Sequence, residues 1–378
     1  IGCGRCVEVC NAVQSVGSIF FRGRGSETIV APPEGFGMGE SACVACGQCV
    51  VYCPVGALYE REYIQEVWSA IDDPEQTVVA QIAPAVRVAL GEEFGMEPGT
   101  LSIGKIYSVL RRLGVDTVLD TNFSADLTIM EEGTEFLERL HNGGPLPLIT
   151  SCSPGWIRFG ETYFPELMEN VSTCKSPQQM LGALIKSYYA GSRGLDPAKV
   201  TSVSIMPCTA KKYEASRPEM EDSGYRDVDY VLTTRELARM IREAGIGFAE
   251  LSEEPPDPMM SSYTGAATIF GATGGVMEAA VRTAYELETG TPLESLDLQA
   301  VRGLEGVKEA TLEVNGSPVT VAVAHGLANA RSILERVRED AAAGRRRYDF
   351  VEIMACTGGC VGGGGQPIPN TLAQRKSR

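Results

Sequence analysis

The chain has 378 residues, 44% of them apolar and 22% charged, and a formal net charge of −16. This is an ordinary soluble globular composition, long enough for two or three domains. Its acidity argues against nucleic acid or anionic membrane surfaces as partners. No apolar run reaches membrane-spanning length and the start shows no signal-peptide pattern, so a cytoplasmic location and no membrane span are expected. Twelve cysteines against two histidines point to metal clusters and not to a secreted disulfide scaffold. His141 and His325 read as structural.

The chain opens Ile1-Gly-Cys3-Gly-Arg-Cys6-Val-Glu-Val-Cys10, a C-x2-C-x2-C-x3-C run lacking its first cysteine. Cys43-Val-Ala-Cys46-Gly-Gln-Cys49-Val-Val-Tyr-Cys53-Pro54 is the complete run of a bacterial two-cluster ferredoxin. There the first three cysteines of a run hold one cubane and the fourth holds the other. Cys43, Cys46 and Cys49 are therefore expected to bind one 4Fe-4S cluster with Cys10. Cys3, Cys6 and Cys53 are expected to bind the second with a cysteine preceding Ile1. Phe20 to Ser41 reads as a hairpin or loop insertion, Glu60 to Asp73 as a helix, and Pro74 as a boundary. The cut first run, and an end at Arg375-Lys-Ser-Arg378 without a natural stop, suggest a fragment of a longer polypeptide.

From Thr77 onward short apolar strands alternate with amphipathic helices, which predicts an α/β architecture with parallel sheets. The expected strands are Thr77–Ile82, Thr117–Asp120, Pro147–Thr150, Val200–Met206, Tyr230–Thr233, Val319–Ala324 and Tyr348–Met354. The expected helices include Ser102–Leu113, Glu131–Leu140, Pro177–Ala190, Thr234–Ala244 and Val276–Leu287. Ligands of such sheets bind beyond the carboxyl ends of the strands, where the unusual residues fall. Ala83-Pro84 follows the first strand, Thr150-Ser-Cys152-Ser153-Pro-Gly-Trp156 the third, and Met206-Pro-Cys208-Thr-Ala-Lys211 the fourth. The last strand runs into Cys356-Thr-Gly-Gly-Cys360 and four glycines, which let the backbone pass close to something bulky. Gly271-Ala-Thr-Gly-Gly275 does not match a dinucleotide-binding spacing.

These three cysteine segments resemble the signature loops of the iron-only (FeFe) hydrogenases. The resemblance runs the full length, including the ferredoxin module, Phe270-Gly-Ala-Thr-Gly-Gly-Val-Met-Glu-Ala-Ala280 and Lys175-Ser-Pro-Gln-Gln179. It implies a two-lobed α/β hydrogenase domain with parallel sheets flanked by helices, over residues 74–378. An α+β ferredoxin-like domain with two 4Fe-4S clusters precedes it, over residues 1–73; both domains would be truncated at their outer ends.

The resemblance also implies an H-cluster, a 4Fe-4S cubane joined to a di-iron unit carrying CO, cyanide and azadithiolate. Cys208, Cys356 and Cys360 would hold the cubane, with Cys360 the bridging ligand. Lys211 would pair with a cyanide, since a buried lysine needs an anion beside it. Ala83, Pro84, Gln178, Met206, Phe270 and Met354 would line the di-iron pocket. Cys152, Glu132, Ser172 and Glu135 would relay protons, the two glutamates lying three apart on one helix face. Cys174 reads as a small buried residue. The implied partners are H2 and protons, hydrogenase maturation proteins, and ferredoxin or an NAD(P)-linked diaphorase subunit as electron partner.

One loop departs from the family. Cys152-Ser153-Pro154 stands where the usual form has two cysteines before the proline, which puts Ser153 at the fourth cubane position. Serine is a poor ligand because its hydroxyl must lose a proton of high pKa and hard oxygen suits this iron less than sulfide. Three outcomes stay open: Ser153 ligates as an alkoxide, Cys152 swings in, or one iron stays open. The rival functions are an H2 sensor of the same fold and a non-catalytic hydrogenase-like protein of iron–sulfur assembly.

Overall fold

The computed structural model describes residues 1–293, 306–314 and 316–378. In chain order its described strands are β1 (Phe20–Arg22), β2 (Ile29–Ala31), β3 (Thr77–Ile82), β4 (Thr117–Asp120), β5 (Leu148–Ile149), β6 (Val200–Met206), β7 (Tyr230–Thr233), β8 (Val307–Val314), β9 (Ser317–His325) and β10 (Phe350–Met354). They gather into two compact units. The first contains residues 1–60, 129–174 and 272–359, and the second residues 61–128, 175–271 and 360–378. This division differs from the sequence segments 1–73 and 74–378.

The second unit is built on an all-parallel sheet of order β4-β3-β6-β7. β3 is an almost unbroken apolar run, buried on both faces as parallel strands are. Its alternate side chains serve two cores. Val78, Ala80 and Ile82 pack with Ile106, Val109 and Leu110 of the helix Ile103–Leu113 and with Leu237 and Ile241 of the helix Thr234–Glu243. Val79 packs on the other side against Leu181, Ile185 and Tyr189. The helix Thr234–Glu243 starts at a capping box, in which the Thr233 hydroxyl accepts from Glu236 N and the Glu236 carboxylate accepts from Thr233 N. The expected helix Pro177–Ala190 is helical but not uniform, with a π turn at Ile185–Tyr189 between Pro177–Leu184 and Ala190–Arg193.

In the first unit the sheet order is β5-β10-β9-β8. β5, β10 and β9 are parallel, and β8 joins as an antiparallel edge. Sequence reading did not anticipate β8. Its Lys308, Glu309 and Glu313 are the charges that keep an edge strand from pairing further, and they hide the alternation of a half-buried strand. The insertion at Phe20–Ser41 contains the β1–β2 hairpin. The core packs Ile149, Val351 and Ile353 against Trp156, Phe159 and Leu334, and it includes Val16 and Val44 from the ferredoxin-type segment. That segment is also tied in by polar contacts: Leu327 N donates to Gln14 Oε1 at 3.1 Å and Arg331 Nε to Ser15 Oγ at 2.9 Å.

A buried ion network in the second unit ties the turn after β3 and the end of β4 to the helix Ile103–Leu113. Arg87 Nη2 donates to both oxygens of Asp120 at 2.8 and 2.9 Å, and Tyr107 OH donates to the same carboxylate at 2.5 Å. Removing one partner leaves the other charge buried and unpaired. We expect Asp120→Ala to lower the unfolding free energy by about 3–5 kcal/mol, read by urea denaturation. Adding Arg87→Met to that variant should recover part of the loss.

Candidate metal centres

All twelve cysteines are free of disulfides. Cys10, Cys43, Cys46 and Cys49 line one cavity of the first unit, with Gln14, Val16 and Ile19. Cys3, Cys6 and Cys53 line another, with Phe21, Val30 and Leu58. The two halves repeat one local design, a C-x2-C loop whose glycine, Gly4 or Gly47, takes a positive φ of 76° or 69° and opens a single helical turn. Among the described residues no three His, Cys, Asp or Glu converge tightly enough for a single metal ion. A four-iron cube instead needs its sulfurs spread around a wider void, as these are.

In the same unit two loops leave the carboxyl ends of the paired strands β5 and β10. The β5 loop is held by Trp156, whose indole N donates to Thr150 O at 3.0 Å, and it presents Cys152 and Ser153 before the helix Pro154–Tyr163. β10 ends in buried Met354 and runs through Ala355 to buried Cys356. Ala355 N donates to Ser153 Oγ at 3.2 Å, and Gln48 Nε2 donates to Cys356 Sγ at 3.2 Å.

Glu132 and Glu135 both lie on the helix Thr121–Asn142, which starts well before the expected Glu131. Ser172 Oγ donates to Glu135 Oε2 at 2.8 Å, and Arg139 Nη2 donates to Glu135 Oε1 at 2.6 Å. Glu132 is fully buried. Ser151 N donates to its Oε1 at 3.3 Å, while its Oε2 has no hydrogen-bond partner. Burial pushes the Glu132 carboxyl up to about 7, against the pull of the Ser151 N–H and the Ser172 hydroxyl. Glu352 is also pushed up to about 7 by burial; Gly274 N and Met277 N donate to it at 2.7 and 2.8 Å. Cys174 is half-buried and not simply core: its thiol lies 3.9 Å from Glu135 Oε2 and is pushed up to about 12 by burial.

The second unit carries its own part of the set. Ala83 and Met206, both buried, stand at the carboxyl ends of the paired strands β3 and β6, with half-buried Pro84 next in the chain. Ala83 N donates to Ile205 O at 3.0 Å, and buried Phe270 lies in the turn Ile269–Gly271. Lys211 has an anion within the protein, so its burial does not by itself call for a cyanide. Its Nζ donates to Glu214 Oε2 at 2.9 Å and to Ser176 Oγ at 2.8 Å. Gln178 is occupied as well, donating to Glu214 Oε2 at 3.0 Å and accepting from Ser204 Oγ at 2.7 Å. The glycine run lies against protein backbone: a Cβ on Gly363 would sit 2.2 Å from Pro207 O, beside Cys208. Gln366 clasps the same loop, its Nε2 donating to Ala85 O at 3.0 Å and to Cys360 O at 3.4 Å. Sequence reading gave no role to Gln48, and for Glu214 it did not foresee the pairing with Lys211; for Gln48 the available signal was an amide side chain inside a cysteine motif.

Residues 76–364 match the family of iron-only hydrogenase large subunits, C-terminal domain, and residues 1–57 match a 4Fe-4S dicluster domain. The chain belongs to the iron-only hydrogenase family. It is 51% identical over 373 residues to the NADP-reducing hydrogenase subunit HndD of Solidesulfovibrio fructosivorans, covering 97% of this chain and 63% of that one. It is 49% identical over 363 residues to the periplasmic Fe hydrogenase large subunit of Nitratidesulfovibrio vulgaris, covering 87% and 85%. The chain spans 63% of the length of HndD, and likewise of Iron hydrogenase 1 of Clostridium pasteurianum, to which it is 47% identical. A solved FeFe-hydrogenase structure, HydA(deltaEFG), superposes with a TM-score of 0.74 at 44% identity, over 84% of this chain and 88% of that one.

The matched domains are those of 4Fe-4S clusters and the H-cluster, and the chemistry of the residues fits that hydrogenase set. Burial pushes the thiols of Cys46 and Cys208 up and that of Cys49 to about 12, so ionising them requires a positive partner, which iron supplies. N–H groups already point at sulfur, with Ala45 N 3.4 Å from Cys43 Sγ and Ala57 N 3.2 Å from Cys53 Sγ.

We expect Gly363→Ala to shift the Cys208 loop, because backbone and not a flexible side chain opposes the new methyl group. Iron analysis of purified protein should then show less bound iron, with the ferredoxin-type absorption retained. For Glu132 the folded carboxyl titrates higher than the unfolded one, so the folded state binds the extra proton between about 4.5 and about 7. Stability from this group is present at low pH and is lost as pH rises through that window. The Glu132→Gln variant should therefore lose less stability than the parent between those values in denaturation curves. Glu352 leaves part of the slope in both proteins.

Proposed function

We propose that this chain is the catalytic part of an FeFe-hydrogenase, interconverting dihydrogen with protons and electrons. The reading is carried by one observation: Glu132, a fully buried carboxyl that burial pushes up to about 7, shares a unit with the Cys152 and Cys356 loops. A carboxyl titrating there both accepts and releases protons at low cost.

In this reading the H-cluster, when bound, supplies the site where dihydrogen is split or formed. Cys208, Cys356 and Cys360 would hold its cubane as thiolates, with Cys360 the ligand nearest the di-iron group and Ser153 at the fourth position. Lys211 offers its charge to a cyanide while Glu214 and Ser176 keep the ammonium in place. Ala83, Pro84, Gln178, Met206, Phe270 and Met354 exclude water around the di-iron group. Cys152 passes protons to Glu132. The Ser172 hydroxyl carries them to Glu135, where Arg139 steadies the carboxylate. In the ferredoxin-type segment, within residues 1–73, Cys3, Cys6 and Cys53 would hold one 4Fe-4S cluster and Cys10, Cys43, Cys46 and Cys49 another, and these would supply electrons to the domain in 74–378. Ferredoxin or an NAD(P)-linked diaphorase subunit supplies them, and hydrogenase maturation proteins install the di-iron group. A nicotinamide-linked partner goes with a cytoplasmic location, where those nucleotides are held. Among the described residues no helix is long and apolar enough to cross a membrane.

The test is infrared spectroscopy of protein produced without oxygen and supplied with the di-iron cofactor. Sharp CO and cyanide bands that shift under hydrogen are expected, together with dihydrogen release from a low-potential one-electron donor. Iron–sulfur absorption without such bands would overturn the hydrogenase reading in favour of a non-catalytic one. Glu132→Gln should lower turnover at least about a hundredfold while the bands persist, and Ser153→Cys reports what the serine changes.

A further inference from the structure

We propose that Gln48 is a positioning residue for the cluster ligated by Cys356, setting its reduction potential and linking it to the ferredoxin-type cluster of Cys46 and Cys49. The inference rests on the reading above, because it requires iron at both places. Gln48 sits between Cys46 and Cys49 in sequence, opens the turn Gln48–Val51, and is only 3% exposed. Its Nε2 donates to Cys356 Sγ at 3.2 Å, a buried contact between residues 308 positions apart. Cys46 is itself close enough to Cys356 for the charge on one sulfur to act on the other.

A buried amide donor is costly to place on a weak acceptor, and a neutral thiol is a weak acceptor. A thiolate is a strong one, since an ionised acceptor roughly doubles the strength of the bond. The bond from Gln48 to Cys356 is therefore strongest when Cys356 is a thiolate, that is, when it ligates iron. Donors to cluster sulfurs tune the potential, because reduction adds negative charge that the donor stabilises. One residue and one hydrogen bond then join Cys49 to Cys356. In the transfer served, one electron leaves the reduced ferredoxin-type cluster and enters the Cys356 cluster. No bond is made or broken, and the electron is replaced by an external low-potential one-electron donor.

The test uses the full chain with its 4Fe-4S clusters reconstituted and no di-iron group, titrated with dithionite and followed by electron paramagnetic resonance. Gln48→Met keeps the length of the side chain and removes the donor. The reduction equilibrium of the Cys356 cluster should move about tenfold toward the oxidised form, with a smaller change at the ferredoxin-type clusters. Equal movement of all clusters, or none, would overturn the proposal. Independently of whether that variant folds, parent protein carrying 15N-labelled glutamine side chains should show a 15N coupling to the reduced Cys356 cluster. Its absence would overturn the proposal too. If the parent binds only the two ferredoxin-type clusters, the hydrogenase reading itself has failed and the proposal falls with it.

Discussion

A buried thiol resists losing its proton, and this fold depends on giving its sulfurs something positive to ionise against. Burial raises Cys46, Cys49 and Cys208 above an ordinary thiol. Where a sulfur is less buried, as at Cys53, the N–H groups of residues 55–58 pull it the other way. Iron in a cubane supplies the missing charge, and the N–H donors around the loops supply the finer adjustment. The same reasoning governs Lys211. An ammonium left alone at that depth would be costly, and the protein sets Glu214 and Ser176 against it.

The parallel sheets turn this requirement into position. Adjacent parallel strands end side by side, so the loops that follow them become neighbours without any sequence proximity. β5 and β10 do this for the loops of Ser153 and Cys356, as the Ala355 to Ser153 bond records. β3 and β6 do it for Ala83 and Met206. The glycine run after Cys360 serves the same end by lying against the Pro207 carbonyl. The bulky object those glycines accommodate is, at Gly363, the chain itself.

Much of the fold was legible from short-range pattern. β3, β4, β6 and β7 lie where short runs rich in apolar and β-branched residues put them, with few charges, as suits strands buried on both faces. The start of the helix Thr121–Asn142 was not legible. Thr121, Asn122, Ser124 and Thr128 are weak helix formers, and tertiary bonds such as Ser124 Oγ to Pro177 O at 2.7 Å hold them there. β8 escaped because an edge strand shows its charges.

By itself the sequence marked the candidate donor sets, since cysteine spacing in C-x2-C runs is local and few other uses of twelve thiols fit an acidic chain. It also marked the serine at 153. Only the tertiary structure decided how those donors are served: that Glu132 is sealed from water, that Glu214 is the anion of Lys211, and that the amide of Gln48 reaches Cys356. Burial and hydrogen bonding are properties of neighbours brought together from distant parts of the chain, and no spacing within one motif can state them.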